Sequence, residues 1–514
     1  MLGTALFAQD VTNIQFGPDN QQKTRILKVL GESNDKIFVL AGNKSDYFVQ
    51  NYNDKSLAIE NHEKMELPKI EGVSDLGIEE IFLLEKEIVV FMTGYNKTKN
   101  SFQTFAYKVN EKCKMESSGK LILDLPVEKK KRLGSVGFNL NTVTRQVLVF
   151  QSNNIKERGV HQFTFALLDE ALEDIKTGSF EVEKTDLFNS CRVMDAKVDN
   201  SGNVCAVVSQ YPSGETDQVN GLSNQKVTMA TFFKKDNYAS KVTEIKLAGD
   251  QIANDLMVIV TSDGLKVTGF YTKLIKKKGK GLEGTLLVSV DKNGEMGEVV
   301  STQFSEAFKK RFDEEKMGIK LPGIPVTVRL REVFVDSNND ITLLAENEIH
   351  DPESSGVYYG YVLVARITKT GEFKWEQLVG KKQSYVSVSI NPGIGGGAVS
   401  VFASFNLTST DKGNYLSYGS WMTEDNDLVL LFLDTQRNAD TPANEERKIM
   451  LKPLDATPFS AKLTSDGSIT YSIESKLQES EIPIRPKYSF VHNHKLFFVS
   501  SKKETETIGS ATVK

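Results

Sequence analysis

Residues 285–300 read Thr285-Leu-Leu-Val-Ser-Val290, then Asp291-Lys-Asn-Gly294, then, past Glu295, Met296-Gly-Glu-Val-Val. Residues 361–375 repeat the form: Tyr361-Val-Leu-Val-Ala-Arg-Ile367, Thr368-Lys-Thr-Gly371, Phe373-Lys-Trp375. Val, Ile, Leu and aromatic side chains fit the half-buried pleat of a strand. A short polar cluster ending in Gly supplies the turn, because Asn, Asp and Gly tolerate positive φ. Each stretch is therefore a β-hairpin.

Working outward, a second hairpin precedes each of these. Its central run is one of eight that recur down the chain: Ile37-Phe-Val-Leu, Ile88-Val-Val-Phe, Val147-Leu-Val-Phe, Val204-Cys-Ala-Val-Val, Leu265-Lys-Val-Thr, Ile341-Thr-Leu-Leu, Val399-Ser-Val-Phe and Ile469-Thr-Tyr-Ser. Turn clusters such as Asp199-Asn-Ser-Gly202, Ser262-Asp-Gly264, Asn391-Pro-Gly393 and Ser465-Asp-Gly467 stand before seven of them. The spacings run from 51 to 76 residues. Two hairpins per unit make four strands, and four-stranded sheets repeated radially are the blades of a β-propeller. One blade cannot bury both faces alone, and stacking its neighbours does so. The reading is an all-β propeller of about eight four-stranded blades, with seven blades or tandem β-sandwiches as the alternatives.

The ends favour ring closure. Val11-Thr-Asn-Ile-Gln-Phe16 is an extra strand before the first unit, and Lys487-Tyr-Ser-Phe-Val491 with Leu496-Phe-Phe-Val-Ser500 forms a last hairpin. One segment breaks the pattern. Residues 305–318 read as a helix, with Ser305 and Gly318 as caps and Phe304, Phe308 and Phe312 near one face. The expected organisation is a signal remnant over 1–8, then a single propeller domain over 9–514 with a helical insertion near 304–318.

Composition excludes several classes. The chain has 514 residues, 39% hydrophobic and 25% charged, with 13 Pro and a net charge of −5. It is neither disordered nor a membrane bundle, and it has no general pull toward nucleic acid. No transmembrane segment is expected. Cys113, Cys191 and Cys205 make no disulfide scaffold, and a hairpin would set Cys205 near Ala196 rather than Cys191. The opening Met1-Leu-Gly-Thr-Ala-Leu-Phe-Ala8-Gln9-Asp10 looks like the end of a secretory signal cut after Ala8. Export to the periplasm, outer-membrane surface or exterior is the expectation.

With strands named A to D from the centre outward, the A–B and C–D turns lie on one face. The B–C and D–A connections lie on the other. The B–C connections are read as long at 152–161, 209–226, 271–284, 346–359 and 406–425, which marks that face as the working surface. These segments carry the candidate binding residues Arg158, His161, Tyr211, Lys276, Lys277, Lys278, His350, Tyr358 and Tyr359. Aromatics and cations together suit a glycan, an anionic polymer or a protein partner.

Catalytic and metal motifs are weak. His492-Asn-His494 could place two imidazoles on one side of a strand, but it falls where a turn belongs. Asp336-Ser-Asn-Asn-Asp340 has the oxygen spacing of a calcium loop without its Gly and distal acid. Gly393-Ile-Gly-Gly-Gly397 lacks the Lys-Ser/Thr of a phosphate loop, and Lys129-Lys-Lys-Arg132 reads as a solvated basic run. No nucleophile elbow or zinc helix is present. The expectation is no metal, no cofactor and no assigned catalytic residue.

Ala365-Arg-Ile-Thr-Lys-Thr-Gly371-Glu-Phe-Lys-Trp375 resembles the Trp-docking repeat of quinoprotein-like propellers, which implies that Trp375 packs between blades. A quinone would need a ligand set the sequence lacks. That hairpin with Lys381-Lys-Gln383, the Leu6-Phe-Ala-Gln-Asp10 start and Leu428-Val-Leu-Leu-Phe-Leu-Asp434 also resemble exported propeller-like proteins of the Bacteroidota, whose function is unassigned. The resemblance implies an envelope or surface protein. Three functions are compatible: a binding scaffold using its enlarged face, a propeller enzyme acting on glycans, and a structural subunit of an envelope assembly. The oligomeric state is open.

Overall fold

The computed structural model describes residues 11–513 apart from 19–21, 44–45, 128–134, 156, 186–189, 212–224, 250, 276–277, 315–323, 325–326, 352–355, 387–415, 440, 442–447, 451–455, 478–483 and 503–504. Eight antiparallel blades form a ring, at 25–64, 73–126, 135–183, 190–245, 251–303, 328–379, 418–473 and 484–513. Within the first seven blades, sequence order is spatial order from the channel outward. Strand B carries the densest apolar pattern because it is covered on both faces by adjacent blades. Ile37, Val39, Leu148, Val204, Leu343 and Leu430 are all buried there.

The eighth blade closes the ring with both ends of the chain. Its order from inside is Ile484–His492, Lys495–Lys502, Thr505–Val513 and then Val11–Phe16. Val11 opposes Val513 in that last pairing and is almost fully buried. The N-terminal strand therefore covers an edge that would otherwise expose unpaired backbone groups. The junction with blade 1 is tied again from within. Arg485 and Glu506, both buried, form an ion pair, and Glu506 Oε2 accepts the Ile26 backbone N–H at 2.6 Å.

Turn chemistry follows the residues named for it. Asn34, Asp35, Asn339, Asn493 and His494 all adopt positive φ. His492-Asn-His494 is the A–B turn of blade 8, as its flanking strands require. Asp336 Oδ1 accepts the N–H groups of Asn338 and Asp340 at 2.8 and 2.9 Å, and its Oδ2 pairs with Arg366. Its oxygens thus serve a turn rather than an ion. Trp375 bridges blades 6 and 7, its Nε1 donating to Ser465 O at 2.9 Å. Gly467, at φ +86, lies against that indole, where a Cβ would come within 2.6 Å of the ring.

Several expectations need correction. Ile469–Ile473 is strand D of blade 7, not a central strand, and Ser465-Asp-Gly467 is a C–D turn. The central strand of blade 7 is Leu428–Thr435, and that of blade 8 is Lys495–Lys502. Short β-rich runs occur on strands C and D as well as B, so period alone could not separate them. Val399-Ser-Val-Phe, Asn391-Pro-Gly393, the Gly393–Gly397 and Lys129–Arg132 runs and residues 1–10 lie outside the described residues. Register sets Cys205 opposite Lys197, one residue from the expected Ala196, and all three cysteines are free.

The helix spans Glu306–Glu314, with Ser305 Oγ accepting the Phe308 N–H at 3.1 Å. Phe304, Phe308 and Phe312 are buried in the core between blades 5 and 6. Gly318 lies outside the described residues. No described helix is long and apolar enough to cross a membrane.

Candidate functional site

The B–C connections are built differently from loops. In blades 3, 5 and 6 the strands simply continue, pairing as Val147–Ile155 with Val160–Leu168, Gly264–Ile275 with Lys278–Val290, and Ile341–Asp351 with Gly356–Ile367. Continuing the ladder satisfies the backbone groups of an enlargement that a loop would leave to water. The 406–425 segment is not a B–C connection. Its described part leads into strand A of blade 7, Tyr418–Met422, and its A–B turn.

The candidate residues therefore scatter. Arg158 pairs with Glu181 at the tip of the blade 3 ribbon. His161, half-buried, opposes Asn154 and Val182 on the same blade. Tyr211 ends strand B of blade 4, opposite Ser190. His350 pairs through its backbone with Val357 near the blade 6 tip, and Lys276 and Lys277 lie outside the described residues. Lys278 begins strand C of blade 5. Tyr358 opposes Ile349 and Ser384. Of these residues, Tyr359 joins a polar cluster at the channel mouth between blades 6, 7 and 8.

That cluster starts from a covered ion pair. Lys381 and Glu346 are both fully buried and bonded to each other. Lys381 also donates to Gln383 Oε1 at 3.2 Å, and Ser417 Oγ donates to Glu346 Oε2 at 2.7 Å. Gln383 Nε2 reaches Leu433 O at 2.8 Å. The strand Gln383–Val386 adds to blade 6 beside Tyr359, so the whole network stitches blade 6 to blade 7. Burial lowers the Lys381 pKa, and the Glu346 carboxylate works against that. A buried pair of this kind resists loss of either partner.

Above the pair, strand A of blade 6 (Val328–Val335) alternates Val328 and Leu330 into the core with Arg329 and Arg331 exposed to the channel. Its register shifts between Leu330 and Glu332. Arg331 pairs with Glu348, whose Oε1 accepts the Tyr359 hydroxyl at 3.3 Å. Arg329 reaches Asp255 of blade 5 at 3.3 Å. Ser420 of blade 7 donates to Glu332. Burial raises the Glu332 pKa, and the nearby Glu346 charge adds to the rise against that hydrogen bond. The Tyr418 phenol is buried with no hydrogen-bond partner among the described residues. Burial, with Glu332 and Glu346 nearby, holds its pKa well above the usual tyrosine value.

Blade 8 supplies the third wall. Its strand A pairs regularly at Arg485 and again at Phe490, but the register slips between them. Pro486, Lys487, Tyr488 and Ser489 form this wide bulge. Pro cannot donate to a ladder, and a bulge redirects the side chains it carries. The bulge packs on Gly419 of blade 7, where a Cβ would come within 2.4 Å of Pro486 O. Lys487 keeps surface contact with solvent yet is crowded by the surrounding strands. That crowding lowers its pKa, with the Arg485 and Arg331 charges adding and Glu346 opposing. Its ammonium lies 5.1 Å from the Tyr488 ring and has no carboxylate within ion-pair distance among the described residues. Burial pushes Tyr488 and Tyr359 up to about 12.

The arrangement offers exposed cations for an anion, carboxylates for hydroxyl donors and tyrosine rings for an apolar surface. The sequence reading missed Arg331, Glu332, Tyr418, Lys487 and Tyr488. The available signal was Pro486 inside a strand pattern. No group of three or more metal-binding side chains occurs among the described residues. A cavity on the opposite face is lined by Lys266, Asp291 and Glu295, each of which is engaged within the fold. Lys266 donates to Lys369 O at 2.8 Å, Asp291 caps its own turn, and Glu295 pairs with Lys241.

No family model matches the chain, and no curated protein matches it. Solved structures do. The Dos1 propeller is 8% identical with a TM-score of 0.42, over 97% of this chain and 95% of that one. A Synechocystis apocarotenoid oxygenase mutant is 11% identical with a TM-score of 0.32, over 65% and 67%. An α-L-arabinofuranosidase from Lactobacillus brevis is 11% identical with a TM-score of 0.26, over 58% and 99%. At these values the likenesses carry no argument about activity.

Proposed function

We propose that this chain is an exported binding scaffold of the Bacteroidota envelope or surface that engages its partner at the channel mouth on the B–C and D–A face. The carrying observation is the Pro486–Ser489 bulge. It interrupts an otherwise regular innermost strand and sets Lys487, with Tyr488 next to it, within reach of the Arg331 charge of blade 6. An irregular, cation-bearing segment on a rigid scaffold supports recognition rather than packing. The partner is a polysaccharide or a protein. Native mass spectrometry of protein purified gently from its source tests this. A bound mass should be retained by Arg158→Ala and lost on Tyr488→Ala. Retention by both would refute the placement. The same spectrum should lack residues 1–8 if the start is a cleaved signal.

A glycan-cleaving activity is the second reading. It is favoured by Glu332, whose raised pKa beside Tyr418 and Glu346 suits a proton donor. Release of reducing ends from a polysaccharide panel, abolished by Glu332→Gln, would establish it. Silence across the panel would discard it.

A further inference from the structure

We propose that Lys487, Tyr488, Arg331 and the Tyr418 hydroxyl form a subsite for a carboxylate-bearing sugar ring of an acidic polysaccharide. This deepens the binding reading above and rests on it. Three separate needs at the mouth point to one ligand chemistry.

The first is charge. Lys487 has Arg485, Arg331 and the more distant Glu346 as charged neighbours, and no carboxylate within ion-pair distance among the described residues. Arg485 is already held by Glu506, and Arg331 by Glu348. An incoming carboxylate would relieve this crowding of positive charge and make a charge-assisted bond. The second is hydroxyl recognition. Glu332 is only half-buried and already accepts Ser420, and Glu348 accepts the Tyr359 hydroxyl at 3.3 Å. Such acids accept O–H groups, of which a sugar has several and an acidic peptide few. The third is the Tyr418 hydroxyl. A buried hydroxyl without a partner is costly, and it lies close enough to Glu332, Glu346 and Arg331 to feel their charges. A ligand oxygen at the mouth is the group that would complete it. Tyr488 packs on the core between blades 8 and 1 with the Arg485 and Lys487 cations against its ring, and so positions Lys487 at the mouth.

Calorimetric titration with tetragalacturonate, cellotetraose and a tetraglutamate peptide tests the assignment. Tetragalacturonate should bind in preference to both others. Lys487→Gln should weaken it about tenfold or more, the effect of losing a charged hydrogen bond. Tyr418→Phe should weaken binding while raising the melting temperature, because it removes an unpartnered hydroxyl. A merely structural tyrosine would not split the two readouts. Equal affinity for cellotetraose, or no effect of Lys487→Gln, would overturn the carboxylate subsite. Preference for tetraglutamate would overturn the sugar while leaving the face as a binding surface. No binding of any of the three would overturn the inference, and the mass-spectrometric test of the scaffold reading would stand separately.

Discussion

Ring closure makes a quantitative prediction at Glu506. This carboxylate holds two things at once, the Arg485 guanidinium in its own blade and the Ile26 N–H of blade 1, and all three groups are shielded from water. Glu506→Ala strands a buried guanidinium. Breaking a buried pair from one side costs about 3–5 kcal/mol. With an unfolding entropy of about 2.1 cal/mol/K per residue, this chain loses about 1 kcal/mol per degree, so Tm should fall by about 3–5 °C. Removing both charges, as Arg485→Met with Glu506→Leu, should recover at least half of that. The remainder is the Ile26 N–H left without its acceptor, worth about 1–3 kcal/mol. Scanning calorimetry of wild type, both single variants and the double variant gives the coupling directly. A Glu506→Ala shift under 1 °C, or a double variant no better than the single, would refute the claim that this pair fastens the two ends of the ring.

Three further outcomes follow from the same structure. Removing residues 1–16 uncovers the edge of Thr505–Val513, and the truncated protein should self-associate on size-exclusion chromatography; unchanged elution and Tm would contradict closure by the N-terminal strand. Gly419→Val drives a side chain into Pro486 O and should lower the urea midpoint by the equivalent of about 1–3 kcal/mol. An unaltered midpoint would show that the bulge can yield. Glu332 has its pKa raised above 4.5 in the folded state, so the stability tied to its proton is complete below that value. It is lost as pH rises through the folded pKa. Glu332→Gln should therefore raise Tm more at pH 7 than at pH 4.5, and a pH-independent difference would argue against a partly desolvated carboxylate that takes up a proton on folding.

The blade repeat was legible because each blade solves the same problem with the same residue types. Ile37, Ile88, Val147, Val204, Leu265 and Ile341 all begin strand B runs or sit at their start, each covered on both faces by its neighbours. Strand B is the position where alternation gives way to a continuous apolar run. The reading slipped at Ile469 because strand D of blade 7 carries the same Ile-Thr-Tyr pattern behind an equally good Asp-Gly turn. What distinguishes the two strands is which blade covers them, and that is not a local property. Leu428-Val-Leu-Leu-Phe-Leu-Asp434 was the better central strand, being buried from Leu428 through Asp434.

The enlarged B–C connections were legible in outline, and the side chains gathered at the channel mouth were not. Loop length is visible in a sequence, so attention fell on Arg158, Tyr211 and Tyr358, which stand on different blades or, like Arg158, already have an ion partner. The channel mouth is assembled from innermost strands more than 60 residues apart, near 331, 418 and 487. No spacing rule connects them; only closure of the ring does. Yet the two features that shape the mouth are each a local conflict. Pro486 sits where a ladder needs a donor, and Lys381 sits with no exposure where a lysine loses its hydration. The first conflict is resolved by a bulge lodged on Gly419, and the second by Glu346 on strand B of the same blade, whose other oxygen accepts Ser417 of blade 7. Both resolutions draw on a neighbouring blade, so the mouth exists only while blades 6, 7 and 8 stay in register. A change at Glu506 that loosens closure should therefore also blunt ligand binding at Lys487, two residues from Arg485 on the same strand.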